Sequence, residues 1–185
     1  MKLKDILVNV FEDIEKDIQS QFELGKVYSN PYHTAFRLNE AVEKKLYIMV
    51  GIPGSGKSTF IKTLSNPVVC SADHWFEKSG KYEFDPTQLH AAHRAAQNKC
   101  LDSMLQSKPL IVSDNTNLTD KERKPYEDMA EKHGYEIVYV VFEPDKKNIA
   151  KYAKRNLHGV PAAKLEIMVD KYVPPSGEKG KIIYK

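Results

Sequence analysis

The chain has 185 residues, of which 41% are hydrophobic and 29% charged, with a formal net charge of +3. These values are typical of a protein with one hydrophobic core and leave little room for a second large domain. No apolar run approaches the roughly 18 residues that a membrane-spanning helix needs, and the N-terminal residues lack the apolar region of a secretory signal. We therefore expect a cytoplasmic protein with no membrane partner. Cys70 and Cys100 show no metal-binding or redox spacing, so both are expected to be reduced core residues.

Apolar residues recur every three or four positions between residues 2 and 23, which predicts an amphipathic helix. After the turn sequence Ser29-Asn30-Pro31, a shorter helix is predicted from about Thr34 to Lys45. We therefore divide the chain into an N-terminal helical extension, residues 1–45, and a second domain, residues 46–185. The extension is expected to pack on the core, to self-associate or to bind a partner, and a role in substrate binding is the alternative.

From Leu46 onward, short apolar runs alternate with longer helical stretches, a pattern typical of an α/β fold with a parallel sheet. The predicted strands are residues 46–50, 68–70, 110–113 and 136–142, and residues 182–185 form a candidate fifth. The predicted helices are residues 57–64, 86–106 and 120–133. We expect a sheet of four to five strands flanked by helices.

The sequence GIPGSGKST, residues 51–59, lies between the first predicted strand and the first predicted helix. It matches the P-loop pattern, in which glycines let backbone N–H groups surround a phosphate. Lys57 reaches the outer phosphates in such a loop, and the Ser58 hydroxyl is a ligand for Mg²⁺. The sequence therefore predicts that ATP and Mg²⁺ are bound. The predicted nucleotide-binding residues are Gly51, Pro53, Gly54, Ser55, Gly56, Lys57, Ser58, Thr59 and, from the lid described below, Arg155.

Carboxylates follow two of the predicted strands. Asp114 comes directly after residues 110–113 and is a candidate for binding Mg²⁺, either directly or through an intervening water. Asp73 follows residues 68–70, at the carboxyl edge of the sheet, where ligands bind in open α/β folds. A carboxylate there is suited to take the proton of an attacking hydroxyl, so Asp73 is the predicted general base and His74 a weaker candidate.

The sequence RNLHGVP, residues 155–161, combines cations with a Gly and Pro break, as expected of a short mobile lid. Arg155 is the predicted lid arginine, because a guanidinium binds a phosphoryl group in a planar, bidentate way that an ammonium cannot. Together with Asp73 and Lys57, it completes the predicted catalytic set.

These motifs, with SADHW, GKYEFDP, the pair Ala92-His93 and SDNTN, make residues 46–173 resemble the polynucleotide-kinase-like P-loop ATPases. The resemblance implies a P-loop kinase fold with a short lid, and an ATP-dependent 5′-hydroxyl polynucleotide kinase acting on DNA or RNA ends. It implies that Lys57 and Ser58 hold phosphate and Mg²⁺, that Asp73 is the base, and that Asp114 and Arg155 match the second acidic and lid positions. The chain departs from the family at His74, where relatives often have a second Asp, and in a compact lid with fewer arginines.

Two other functions stay open at this stage. A kinase of a small hydroxylated metabolite or nucleoside would use the same loop, base and lid around a closed pocket. A nucleotide-gated interaction module would bind ATP and act through the N-terminal helix. For a nucleic-acid acceptor, the candidate contacts to the phosphate backbone are Arg94, Lys99, Arg123 and Lys124.

Overall fold

A five-stranded parallel sheet lies at the centre of the computed structural model, which describes residues 43–78 and 81–185. The strands in chain order are β1 Lys45–Val50, β2 Val68–Cys70, β3 Glu77–Lys78, β4 Lys81–Tyr82, β5 Leu110–Ser113, β6 Glu136–Val141 and β7 Lys181–Tyr184. The sheet order is β2-β5-β1-β6-β7, and every neighbouring pair in it is parallel. Strands β3 and β4 form a separate antiparallel pair.

In the part of the chain that the structure describes, five α-helices accompany these strands. They are α1 Lys57–Ile61, α2 Leu89–Leu105, α3 Asp120–His133, α4 Ile149–Arg155 and α5 Ala162–Asp170. Short 3-10 turns precede or replace helices at Asp73–Trp75, Pro86–Gln88 and Lys146–Asn148. Among the described residues, no helix is both long and apolar enough to cross a lipid bilayer.

Successive residues of a strand point to opposite faces of the sheet, so each face has its own set of buried side chains. Different helices cover the two faces. On one face, Leu46 and Ile48 of β1 pack in a cluster with Cys100 of α2 and Tyr126 of α3. On the other face, Met49 packs in a cluster with Ile61 of α1, and with Val138 and Val140 of β6. A third cluster joins Ile52, two residues after the end of β1, to Ile149 of α4 and Leu165 of α5.

The predicted α/β fold with a parallel sheet is confirmed, including the candidate fifth strand, which forms β7 at the sheet edge. Cys70 and Cys100 are buried and free, as expected. Helix α1 is shorter than predicted, because the chain turns after Ile61 and the Thr63 hydroxyl bonds the Phe60 carbonyl at 2.7 Å. The stretch predicted as one helix from residue 86 begins as a 3-10 turn, where the Asp85 side chain accepts a hydrogen bond from Thr87 N.

Lys45, expected to end a helix, instead begins β1 because its backbone N–H donates to Pro109 O at 2.9 Å. Sheet pairing thus overrides the helical composition of the preceding residues. The predicted helix of residues 2–23 and nearly all of the predicted helix from Thr34 lie outside the described residues. The division at residue 45 stays a prediction. Glu43–Lys185 forms one compact unit.

Candidate active site

The P-loop connects β1 to α1 at the carboxyl edge of the sheet. The Lys57 ammonium folds back on the loop and donates to the carbonyl oxygens of Gly51 at 2.9 Å and Ile52 at 3.0 Å. Burial lowers the pKa of Lys57 to about 8, although the nearby Asp114 and Asp73 carboxylates act in the opposite direction. An anion that enters the loop would therefore stabilise the charged form of Lys57.

Two positions of the loop require glycine for different reasons. A Cβ on Gly54, whose φ is +78°, would lie 2.2 Å from the carbonyl oxygen of Tyr152 in α4. A Cβ on Gly51 would lie 2.9 Å from the Ser55 hydroxyl oxygen, which is buried and has no hydrogen-bond partner among the described residues. The first contact packs helix α4 directly against the loop. The second leaves a buried hydroxyl beside the loop backbone that is available to an incoming acceptor.

A polar loop after β5, residues 114–117, holds the P-loop in place. Asn117 is buried and donates through its side chain to Met49 O at 2.8 Å, while Gly51 N donates to Thr116 O at 3.0 Å. Asp114 begins this loop, and burial raises the pKa of its carboxyl group while Lys57 acts to lower it. The loop therefore places the Asp114 carboxylate close enough to Lys57 for each group to shift the pKa of the other.

The same polar loop positions the segment that carries Asp73. The Ser71 hydroxyl donates to Asp114 O at 2.9 Å, and Ala72 N donates to the Asn115 side-chain oxygen at 3.0 Å. Asn115 in turn donates to the Tyr126 hydroxyl of α3 at 3.0 Å. These bonds fix the exit of β2, so the Asp73 turn begins at a defined place beside β5.

Two aromatic side chains hold the Asp73 carboxylate. The Tyr82 hydroxyl, on β4, donates to Asp73 Oδ1 at 3.0 Å, and His158 Nε2 lies 3.6 Å from Asp73 Oδ2. The Tyr82 and His158 rings lie against each other in a tilted arrangement, with 4.3 Å between their centroids and 40° between their planes. Burial, and then the Asp73 charge, raise the pKa of Tyr82 well above its usual range, so this hydroxyl remains a donor. Asp73 is therefore oriented from two sides.

His158 belongs to the loop of residues 156–161 between α4 and α5, the predicted lid. The Asn156 side chain closes this loop, donating to Val160 O at 3.1 Å and accepting from His158 N at 3.0 Å. Arg155 is exposed at the last position of α4, directly before the loop. The lid therefore contacts Asp73 through His158. The helix that precedes the lid, α4, contacts the P-loop at Gly54.

A cavity of about 1270 Å³ unites these elements. Its lining contains most of the predicted site residues, namely Pro53, Gly54, Gly56, Lys57, Ser58, Thr59, Asp73, Asp114 and Arg155. Gly51, Ser55 and the exposed His74 are not among the lining residues. The cavity extends past Asp73 along α2 to His93 and Gln97. Sites for a single small ligand are typically about 300 to 1,000 Å³, so this one has room for two substrates.

The sequence did not indicate that Tyr82 and His158 contact Asp73, and the predicted role of Arg123 is wrong. Arg123 was a candidate for contacting a nucleic-acid backbone, but it is completely buried. Its guanidinium donates to Asn117 O and Val173 O, each at 2.9 Å, and pairs with Asp120. It therefore supports the polar loop from within. The quoted motifs GKYEFDP and RNLHGVP contained Tyr82 and His158, but no spacing rule relates two residues 76 positions apart.

Comparison with known proteins agrees with this architecture. A human protein, NEDD4-binding protein 2, is 38% identical over 134 residues, which is 69% of this chain and 8% of that protein. The chain thus spans about a twelfth of the length of that relative. A sugar kinase from Janibacter has a TM-score of 0.54 at 15% identity, covering 77% of this chain and 84% of its own. A Chloroflexus aurantiacus protein, provisionally assigned as a kinase, has a TM-score of 0.59 at 15% identity over the same shares of the two chains.

The structural similarities establish a kinase-type P-loop fold. The sequence profile of the AAA domain family matches residues 46–175, which include the P-loop, Asp73, the polar loop and the lid. This match covers well over half of the chain. The protein therefore belongs to the AAA domain family, as a P-loop protein with a kinase-type fold.

Proposed function

We propose that the protein is a phosphotransferase that moves the γ-phosphate of ATP to a 5′-hydroxyl end of a nucleic acid. The observation that carries this proposal is the Asp73 carboxylate, held by Tyr82 and His158 in the same cavity as the P-loop lysine. A protein that only senses a nucleotide has no need of an oriented base on the acceptor side. The resemblance to polynucleotide-kinase-like ATPases supports the choice of acceptor.

The residues of the loop fit the nucleotide. The unpartnered Ser55 hydroxyl and the Lys57 ammonium are donors for phosphate oxygens, and the glycine positions admit a backbone approach that a Cβ would obstruct. Ser58 and Asp114 offer the hydroxyl and carboxylate oxygens that Mg²⁺ prefers, and these two residues would hold it. When bound, Mg²⁺ would neutralise part of the negative charge of the phosphates.

Asp73 acts as the general base in this scheme. The acceptor hydroxyl donates its hydrogen bond to Asp73, and its proton passes to the carboxylate as the new O–P bond forms. The bond between the γ-phosphorus and the bridging oxygen of ATP breaks in the same displacement, and ADP leaves with that oxygen. Tyr82 occupies Oδ1 with a hydrogen bond at 3.0 Å, which holds the carboxylate plane in position while the proton is taken.

Arg155 and Lys57 stabilise the transferring group in this proposal. Both side chains line the cavity, from the lid and from the P-loop respectively. Two cations in one cavity reduce the cost of charge on the equatorial oxygens of the phosphoryl group. His158, from the loop that follows Arg155, lies 3.6 Å from Asp73, so one segment of the chain supplies both the arginine and a contact to the base.

A small hydroxylated acceptor is the second candidate. Polar side chains on the acceptor side of the cavity favour a small acceptor. His93 and Gln97 are one turn apart on α2, and both line the cavity. Such groups are suited to bind the hydroxyls of a sugar or a nucleoside. In that case an oligonucleotide would neither accept phosphate nor compete with the true acceptor.

The deciding experiment measures transfer of labelled γ-phosphate from ATP and Mg²⁺ to matched DNA and RNA oligonucleotides with 5′-hydroxyl ends. We expect labelling by the wild type and a loss of about 100- to 10,000-fold in Asp73→Asn, the usual contribution of a general base. Lys57→Ala is expected to abolish labelling and weaken ATP binding. Matched oligonucleotides with 5′-phosphate ends are the control. Absence of labelling in a protein that still binds ATP would reject the nucleic-acid acceptor.

A further inference from the structure

A second and smaller cavity lies beside the 3-10 turn that carries Asp73. It measures about 290 Å³ and is lined by Trp75, His90, Ala91, Arg94, Ala95 and Asn98. We call it the Trp75 groove. Trp75 is the last residue of the turn Asp73–Trp75, so the groove wall and the proposed catalytic base are two residues apart. The remaining lining residues all come from helix α2.

Trp75 is held in one orientation although its side chain is not buried. The residue is 41% exposed, and its indole N–H donates to the Gln88 side-chain oxygen at 2.9 Å. Gln88 is itself fixed, since its amide nitrogen donates to Asp85 Oδ2 at 2.9 Å. A large aromatic ring fixed at its polar edge and open to solvent has the properties of a stacking surface rather than of a core residue.

The helix side of the groove supplies space and positive charge. Ala91 and Ala95 are one turn apart on α2, and their small side chains leave room in front of the indole. His90 and Arg94 are both exposed at the same wall. Among the described residues, no carboxylate lines the groove. A flat aromatic ring beside an exposed guanidinium suits a ligand that combines a planar base with a phosphate.

We infer that the Trp75 groove binds a nucleotide of the acceptor strand beyond its 5′ end, with a base on Trp75 and a backbone phosphate at Arg94. This inference rests on the proposed function, and it specifies single-stranded nucleic acid as the substrate. The 5′-hydroxyl lies at Asp73 in the main cavity, and the strand leaves past Trp75 along α2. A nucleoside or sugar acceptor fills the main cavity alone and does not extend to the groove.

The first test uses the intrinsic fluorescence of the full chain, in which Trp75 is the sole tryptophan. A hexanucleotide with a 5′-hydroxyl end is expected to quench this emission with saturation, because a base stacks on the indole. A nucleoside 3′-monophosphate is too short to reach both Asp73 and the groove, so it is expected to quench the emission only at much higher concentration than the hexanucleotide. Lack of quenching by the hexanucleotide up to millimolar concentration would overturn the inference.

The second test compares KM values for the two acceptors. Trp75→Ala is expected to raise the hexanucleotide KM by about 5- to 150-fold, the usual range for losing one stacked base, whereas Trp75→Phe retains most of the affinity. Neither change should alter the KM of the nucleoside 3′-monophosphate. An unchanged hexanucleotide KM in Trp75→Ala would reject the groove as a binding site.

A charge-matched pair of variants tests the phosphate contact. Arg94→Gln is expected to reduce the slope of log affinity against log salt by about 0.7, the value for one phosphate contact to a single strand. Lys132→Gln removes an exposed cation of helix α3 that lines neither cavity, and it is expected to keep the slope. Equal slopes in the two variants would count against a phosphate at Arg94.

The two proposals fail in different ways. If the hexanucleotide is phosphorylated without quenching Trp75, the kinase function stands and the groove is rejected. If it quenches Trp75 with saturation but accepts no phosphate, the groove stands as a binding site for single-stranded nucleic acid and the nucleic-acid acceptor is rejected. If it does neither, both are rejected.

Discussion

Replacing Tyr82 by Phe removes a single hydroxyl from the proposed base and changes little else. The phenyl ring of Tyr82→Phe keeps its tilted contact with His158, at 4.3 Å between centroids, and its edge contact with Phe76, at 6.1 Å. The hydrogen bond to Asp73 Oδ1, 3.0 Å long, is lost. The substitution therefore isolates the contribution of one O–H donor to the orientation of Asp73.

The magnitude follows from the exposure of the carboxylate. Hydrogen bonds to charged groups contribute about 1.5 to 3 kcal/mol when they are shielded from water. The Asp73 side chain is 47% exposed, so water partly replaces the lost donor and the cost falls to about 1 kcal/mol. We expect kcat to fall by about fivefold, whereas KM for ATP and the thermal stability are retained. The assay is steady-state transfer of labelled phosphate to a 5′-hydroxyl oligonucleotide.

A double-mutant cycle provides the strictest form of this test. If Tyr82 acts through Asp73, the variant Asp73→Asn/Tyr82→Phe is no slower than Asp73→Asn alone, because the base is already missing. A further fivefold loss in the double variant would show that Tyr82 acts independently of the carboxylate. Wild-type kcat in Tyr82→Phe would refute the argument that this hydroxyl positions the base.

Three further predictions concern stability. Arg123→Met leaves one buried and one partly buried backbone carbonyl without a charged donor, so we expect a loss of about 3 kcal/mol and a Tm lower by about 6 to 12 °C in a thermal melt; an unchanged Tm would contradict the bonding described here. Gly159→Ala meets no atom within 4 Å and should cost only the strain of a left-handed backbone, about 1 to 2 kcal/mol, whereas Gly54→Ala also collides with Tyr152 and should cost clearly more in denaturant unfolding. Equal losses in the two alanine variants would argue against the tight contact between the P-loop and α4. Burial lowers the pKa of His93 below the value of about 6.5 expected in the unfolded chain, so the free energy of unfolding should decrease as pH falls through 6.5, and His93→Gln should flatten this slope; identical slopes would exclude His93 as the cause.

The strands and the P-loop could be predicted from sequence because their signals are local. Residues 46–50, 68–70 and 110–113 are short apolar runs, and the structure has strands at each of them. Hydrophobic residues in a parallel sheet are buried on both faces, so such runs remain visible without knowledge of their partners. The pattern GIPGSGKST, residues 51–59, likewise requires its glycines for backbone geometry within the loop itself.

Several elements could not be predicted because their stability comes from distant contacts. The pair β3 and β4 has two residues in each strand, too few to show an alternating pattern. Helix α4 has seven residues and α5 has nine, and both depend on burial against Ile52 and Leu118. Isolated helices of this length are marginal in water, so propensity gives little indication of them.

The sequence by itself determined the class of fold and the chemical types at the site: a glycine loop, a lysine, two strand-end carboxylates and a lid arginine. Those assignments depend on periodicity and on residues near each other in the chain. Only the tertiary structure decided how the site is held together. It turned Arg123 inward to bond Asn117 O, and it brought His158 within 3.6 Å of Asp73. The physical reason is that burial and long-range hydrogen bonds depend on how the elements pack, which no local pattern encodes.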